Sequence, residues 1–423
     1  MLACARAVML PCRMPLRPGS VLQRLRAASP LNAACVHLEQ HNARTLAWQR
    51  DVTRIAAPTG NETARGAWMA SRFRDIGWTD VRIDDLGNVS ARRPRESPDT
   101  DAPAAAPASE VWCCAHLDTV FSDPSPVVSH LGWRLEGPGV GDNGRGLAAL
   151  LAIGDALRTA GVKARADVVL VCTVGEEGLG DLRGMKQLMR DAAPVPMAVI
   201  AIDGAGDDRI VNSALGSTRW RVTYSGAGGH SWADFGAANP VHAVTALAAA
   251  LQAVMLPREP RTSLTIAKVG GGESINSIPR DGWLEVDIRS HGEGVLTSLE
   301  NTLRETVARI ERSENGKRAP NTAPLQSEVT LLGNRPCGSL RDNAPLVRIA
   351  EQATRAIGCR PRLATGSTDA SIPIALGVPA IAIGAGGQGG NTHTPHEWYD
   401  DTNGVRGLQR ALRIIVGAAG MKS

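Results

Sequence analysis

The chain has 423 residues, too many for one comfortable core, so two domains are the natural prior. Its net charge of +4 is uneven: residues 1–38 hold five Arg and no acid, and removing those five positive charges leaves the remainder at −1, which gives nucleic-acid binding no electrostatic footing. No run approaches 18 apolar residues, so no helix is expected to span a membrane, and with only 3% aromatic residues the cores must be built from Ala, Val, Leu and Ile.

The first 38 residues are rich in Arg, Ala and Pro and resemble a transit peptide in composition. Residues 1–40 are read as a disordered leader or as the product of an upstream start codon. They are not read as a secretory signal, because Pro11 and Arg13 interrupt the short apolar stretch 7–10. Trp48, Val52, Ile55 and Ala56 share one helical face, and Pro58-Thr59-Gly60-Asn61 ends it. A second helix is expected over 62–76, then a solvated loop over 94–109, where Pro, Ala and Asp crowd together.

Four short apolar runs follow, at 111–115, 168–174, 197–202 and 380–383, and each reads as a strand. Residues 146–160 read as a helix, with Leu147, Leu150, Leu151, Ile153 and Leu157 on one face. Strands alternating with helices imply an α/β fold with a mixed, mostly parallel sheet flanked by helices. Eight Cys are scattered without a Cys-x-x-Cys pair, and Cys113, Cys114 and Cys172 read as buried thiols. That usage points to a reducing, cytoplasmic setting.

Between Asp203 and His393 lie far too many residues for a loop. Strands are expected at 220–224, 263–269, 283–289 and 327–332, with helices at 237–254 and 295–310. This βαββαβ order suggests an inserted ferredoxin-like α/β sandwich. The expected division is a catalytic domain over 41–213 and 333–423, resuming with a helix at 343–357, and a lid over 214–332.

The chemistry lies after the apolar runs, except for Asp142, which leads into a helix. His116 and Asp118 flank Leu117, and in extended chain both point the same way, so Asp118 can accept the second ring N–H of His116. Asp142, between Gly141 and Asn143, is either a turn and cap residue or a carboxylate bridging two metals. Glu176 and Glu177 are adjacent acids after a buried strand; divalent cations relieve their repulsion, and one can ligate while the other faces the open coordination site. Asp203 ends the next run. His393 follows the Gly-rich stretch 386–390, with His396 as its competitor. Two imidazoles and several carboxylates in this order form a donor set for a pair of divalent metals, with one carboxylate to spare.

In combination and order, these residues resemble the zinc-dependent peptidase and deacylase family of carboxypeptidase G, peptidase T, acetylornithine deacetylase, succinyl-diaminopimelate desuccinylase and aminoacylase. The likeness covers about residues 45–420. It implies that His116 and Asp203 hold one metal, Glu177 and His393 the other, and that Asp142 bridges them. It implies that Glu176 is the general base, that Asp118 orients His116, and that the Asp142-Asn143 peptide is cis. The family's last His commonly precedes a Glu by about four residues, which fits His393 and Glu397 and not His396. In the lid, His230 resembles the histidine that reaches the partner subunit's site in a homodimer, while Asn276 and Arg289 resemble substrate-holding residues. Arg289 would grip a carboxylate with its planar fork, or else form a cross-strand ion pair. The implied cofactors are two Zn²⁺, with Co²⁺ or Mn²⁺ as alternatives. The implied reaction is hydrolysis of a small peptide or an N-acyl amino acid. The rivals are a two-zinc aminopeptidase of a different family, which would lack the folded insertion, and a non-catalytic relative.

Overall fold

The structure is a computed structural model that describes residues 29–93 and 109–421. Its centre is a nine-stranded mixed sheet in the order 80–83, 89–93, 167–173, 110–116, 198–202, 380–383, 209–214, 338–339, with 362–366 also pairing to 209–214. The four middle strands, Asp167–Thr173, Glu110–His116, Ala198–Ile202 and Ala380–Ile383, run parallel, and antiparallel strands flank them.

These middle strands are apolar almost throughout because both faces of the sheet are covered. Cys113, Leu170, Ile200 and Ile381 face one core, closed by helices that include Gly144–Thr159, Pro345–Ala356 and Val405–Ala419. Their neighbours Cys114, Val171, Val199 and Ala382 face the other core, closed by Arg183–Asp191 and Ser371–Ala375. Among the described residues, no helix is long and apolar enough to cross a membrane.

Two expectations are revised near the start of the described chain. Ser29–Gln40 is a helix, so the leader expected over residues 1–40 cannot extend through it. Leu31, Ala34, Cys35 and Leu38 recur at i, i+3, i+4 and i+7 and are buried in the first core, and Pro30 sits in the first turn, where its missing N–H costs nothing. Residues 1–28 lie outside the described residues, as do 94–108, where the solvated loop was expected. Helix Asn42–Thr53 also stops short of Ile55 and Ala56. The backbone there turns to pair with Thr119, whose N–H donates to Ala57 and whose carbonyl accepts from Thr59.

Between strands Arg209–Ala214 and Gly338–Ser339 of the central sheet, a separate four-stranded antiparallel sheet runs in the order 262–271, 281–290, 216–225, 326–335. Trp220, Val222, Tyr224, Leu284, Val286 and Ile288 alternate inward onto helices Pro240–Gln252 and Glu293–Lys317. This is the βαββαβ sandwich expected, and strand Gln326–Arg335 runs three residues past the boundary placed at 332. Ala214 pairs antiparallel with Gly338, so the inserted segment leaves and rejoins the central sheet at one edge.

Candidate metal centre

The parallel middle strands all point their carboxyl ends at one region, the place where α/β sheets bind ligands. His116 is the last residue of its strand. Glu176 and Glu177 come just after Thr173, Asp203 directly after Ile202, and the Gly-rich segment after Ile383 leads to His393. Asp142 arrives from the loop before helix Gly144–Thr159. There the Asn143 side chain caps the helix by accepting from the N–H of Gly146 at 3.0 Å, and the Asp142-Asn143 peptide is cis.

The five predicted donors converge. Asp142 turns one oxygen to His116 Nε2 at 2.9 Å and the other to His393 Nε2 at 3.3 Å. Glu177 Oε1 lies 3.1 Å from His393 Nε2, and Asp203 Oδ1 lies 3.8 Å from His116 Nε2. Ligand atoms of His116, Asp142 and Glu177 all fall within 4.8 Å of one another. The competitor His396 is 81% exposed and faces Glu136 at 3.7 Å. His393 holds a left-handed backbone, φ 63°, a conformation that non-glycine residues keep where surrounding structure demands it.

Electrostatics give this cluster the character of a cation site. Burial opposes a charge on His116, yet Asp118, Asp142 and Asp203 together hold it as an imidazolium well above the usual histidine range. The hydrogen bond to Asp142, against partial burial and with Glu177 assisting, carries His393 up to about 9. Burial pushes both Glu176 and Glu177 up. Protons thus stand where positive charge is needed, and a divalent ion would replace them. The donor set, imidazole nitrogens with carboxylate oxygens, suits zinc, cobalt or manganese.

Asp118 acts differently from its expected role. The ring Nδ1 of His116 sits 3.0 Å from the backbone carbonyl of Asp118, and only 3.6 Å from its carboxylate. The carboxylate instead accepts the N–H of Glu176 and that of Glu177, each at 2.9 Å, and the hydroxyl of Thr59 at 2.8 Å. Asp118 is fully buried just beyond the strand end, and its side chain lies beneath the backbone of the acidic pair. His116 still has its Nδ1 occupied, and Nε2 is left for the cluster.

Three supporting residues were not singled out from sequence for the positions they hold. Glu397 accepts the N–H groups of Gly139, Gly141 and Asp142 at 3.1, 2.8 and 2.7 Å and so fixes the loop that carries Asp142. A Cβ on Gly141 would stand 2.8 Å from that carboxylate, which explains glycine there. Arg335, the last residue of the lid strand, donates to the backbone carbonyl of Glu176 and approaches its Oε1 at 3.4 Å. Asp369 accepts from Thr173 Oγ1 at 2.5 Å, and burial carries its carboxyl up to about 6. The signal for Asp369 was available: an acid in the Gly-Ser-Thr-Asp run ahead of apolar helix Ser371–Ala375.

The lid residues are not brought to this cluster within the chain. His230 is exposed; its N–H donates to Asp234, and its Nδ1 accepts from Trp232 and Ala233. Asn276 lies beside it, because the short ribbon 229–230 and 277–278 joins their segments and Ser231 N–H donates to the Asn276 carbonyl at 2.9 Å. Arg289 pairs with Asp287 at 2.7 Å, two residues back on its own strand, so the ion pair it makes is within one strand and not across two.

Comparison with known proteins agrees with this architecture. The structure resembles a tripeptidase from Staphylococcus aureus (21% identity, 89% of this chain and 99% of that chain, TM-score 0.70). It also resembles the dipeptidase Dug1p from Saccharomyces cerevisiae (14% identity, 93% and 99%, TM-score 0.72). A third likeness is to the YXEP protein of Bacillus subtilis, described as a dinuclear metal binding peptidase (13% identity, 91% and 100%, TM-score 0.63). At these identities the likeness is one of fold. No curated protein sequence matches the chain. The model of the family described as Peptidase family M20/M25/M40 matches residues 112–417, nearly three quarters of the chain, and the chain belongs to that family.

Proposed function

We propose that this protein is a two-metal hydrolase cleaving the amide bond of a small substrate, a di- or tripeptide or an N-acyl amino acid. One observation carries the reading: the two oxygens of Asp142 face two different imidazoles, His116 at 2.9 Å and His393 at 3.3 Å. A carboxylate so placed suits a bridge between two ions, with Asp203 completing the His116 side and Glu177 the His393 side. When bound, a pair of Zn²⁺, Co²⁺ or Mn²⁺ ions supplies Lewis acidity to the scissile carbonyl and acidity to the attacking water.

Glu176 is the proposed general base. It takes the water's proton and hands it to the leaving amine, and its burial favours a carboxyl able to hold that proton near neutral pH. Asp118 fixes the backbone of the acidic pair, and Glu397 fixes that of Asp142. His230, Asn276 and Arg289 are proposed to serve substrate in a homodimer, with His230 crossing to the partner's site as an oxyanion donor. The six described cysteines are all unpaired, which supports a cytoplasmic location.

The test is metal analysis joined to a substrate panel. Two ions per chain, turnover of di- or tripeptides or N-acyl amino acids, and near-complete loss in a metal-replete Glu176→Ala variant are the expected results. Wild-type turnover by Glu176→Ala would remove Glu176 from the mechanism. For the dimer, mixing inactive His230→Ala with inactive Glu176→Ala should restore activity, since one mixed site keeps both groups; no recovery despite subunit exchange would confine His230 to its own chain.

A further inference from the structure

The five donors are not carried alike. His116, Glu177 and Asp203 follow strands that pair with one another in the middle of the central sheet. Asp142 leads into helix Gly144–Thr159. His393 stands outside that sheet, on an excursion that leaves at Ala385 and returns at Gly404, just before helix Val405–Ala419. Within it, Gln388–Gly390 and Trp398–Asp400 pair as a hairpin, and His393 lies in the loop between them. A donor on such a loop needs an anchor that strand-borne donors do not.

Arg145 reaches both feet of this excursion. It sits in the first turn of helix Gly144–Thr159, three residues after Asp142, and its side chain is fully buried. Its Nε donates to the Ala385 carbonyl at 3.0 Å, and an Nη donates to the Gly404 carbonyl at 3.1 Å. The guanidinium lies 4.7 Å from the ring centroid of Tyr399, on the second strand of the hairpin. It also lies 3.5 Å from the buried carboxylate of Asp401, which accepts the Tyr399 hydroxyl at 2.8 Å. A Cβ on Gly386, whose φ is 84°, would collide with the Gly404 carbonyl, so the two feet touch where Arg145 joins them. From the other end of the hairpin, Glu397 grips the loop that carries Asp142. The Asp142 segment and the His393 hairpin are therefore tied twice. A buried guanidinium is a costly way to fill space, and apolar side chains of similar volume often serve stability as well or better. What they cannot do is hold two carbonyls at a fixed separation.

We propose that Arg145 is a positioning residue for the metal half-site of His393 and Glu177. By fastening the feet of the hairpin to the helix of Asp142, it sets the His393 imidazole against the Asp142 carboxylate, 3.3 Å away. The half-site of His116 and Asp203, built on paired strands, does not depend on it. This inference rests on the two-metal reading above.

The test is calorimetric titration of zinc into the chelator-treated full chain, with thermal unfolding of the same metal-free samples. The wild type should take two ions. Arg145→Met should take one at wild-type affinity and bind the other about 10- to 100-fold more weakly, the scale for residues that orient ligands. Arg145→Lys keeps the charge but cannot serve both carbonyls; it should show the same selective loss to a smaller degree, and it carries the test if Arg145→Met does not fold. His393→Ala should weaken the same ion, and adding Arg145→Met to it should change the affinity of the remaining ion no further. A lowered Tm with both ions bound as in the wild type is the purely structural outcome and overturns the proposal. So does equal weakening of both ions. A wild type that takes fewer than two ions would overturn the two-metal reading along with this one; two ions in the wild type beside either variant result overturns this one alone.

Discussion

Arg335 ends the outer strand of the lid sheet, yet its guanidinium lies against Glu176, donating to the backbone carbonyl and approaching Oε1 at 3.4 Å. The lid strand is seated there by further contacts: Asn334 N–H donates to Asp181 at 2.9 Å, and Lys186 donates to the Asn334 carbonyl at 2.9 Å. A side chain from one sheet thereby sets the position of an acid belonging to the other. Arg335→Ala should lower kcat about 10- to 100-fold, the scale of one charge-assisted hydrogen bond. Metal content should hold, because Arg335 touches no proposed ligand. Arg335→Lys should recover little, since a single ammonium cannot serve the Glu176 carbonyl, its carboxylate and Ser367 together. Steady-state kinetics beside metal analysis checks this, and a change confined to KM would argue against a positioning role.

Asp118 makes a sharper prediction because both of its oxygens are committed. Burial works against its charge, but His116 and the N–H groups of Glu177 and Glu176 prevail and hold the carboxyl down at about 2. Removing it in Asp118→Ala frees the backbone of the pair and leaves two buried N–H groups without acceptors. Metal affinity should fall about 10- to 100-fold, as for other residues that orient ligands. Asp118→Asn should fall between, because its amide keeps one acceptor oxygen. Competition with a chelator of known affinity measures the change, and unaltered affinity in Asp118→Ala would return Asp118 to a purely structural place.

Much of this molecule was legible in the sequence, for identifiable reasons. The four middle strands announce themselves because burial on both faces forces unbroken apolar runs, and the donors follow where those runs stop, except Asp142, which leads into helix Gly144–Thr159. The insertion shows itself as a helix and strand pattern that the first sheet has no room for. What escaped were contacts made across the fold. Nothing local to Arg335 says that it will meet Glu176, which lies 159 positions away. Asp118 was assigned to His116 by its spacing, and it does lie 3.6 Å from that ring, but nothing in the spacing says that its oxygens also take the N–H groups of Glu176 and Glu177. Helix Ser29–Gln40 was hidden by composition: Arg, Ala and Pro in the preceding segment outweighed an apolar stripe that was readable residue by residue.

Protons and metal ions should compete at the centre in a way that heating can detect. In the metal-free chain, His393 titrates at about 9, above its ordinary 6.5, first because of Asp142. A raised folded-state value means that the group stabilises the fold fully below pH ~6.5 and that this contribution is lost as pH rises through about 9. Burial of Glu176 and Glu177 raises their carboxyls, which also favours the fold at lower pH. Chelator-treated protein should therefore lose Tm as pH rises from about 6.5 to 9. With zinc present the decline should vanish or reverse, because metal binding displaces the same protons and strengthens as pH rises. The effect from His393 should be modest, its side chain being 52% exposed. Thermal unfolding in matched buffers decides it, and parallel curves with and without metal would contradict the proton-for-metal exchange.

The last prediction concerns stability far from the centre. Leu31 is fully buried, and its helix packs against Gly144–Thr159, the helix that follows Asp142. His37 and Arg44 both reach Asp155 on that helix, His37 at 2.7 Å, and tie the amino-terminal helices to it. Leu31→Ala removes a well-packed side chain and should cost about 2–5 kcal/mol. Deleting residues 1–40 should do more, since it strips the cover from one side of the first core, and it should cost clearly more than deleting residues 1–28 alone. Denaturant or thermal unfolding of the three proteins separates the readings. If removal of 29–40 changed nothing, the packing of this helix on Gly144–Thr159 would carry no stability, and a leader ending at residue 40 would again describe the chain.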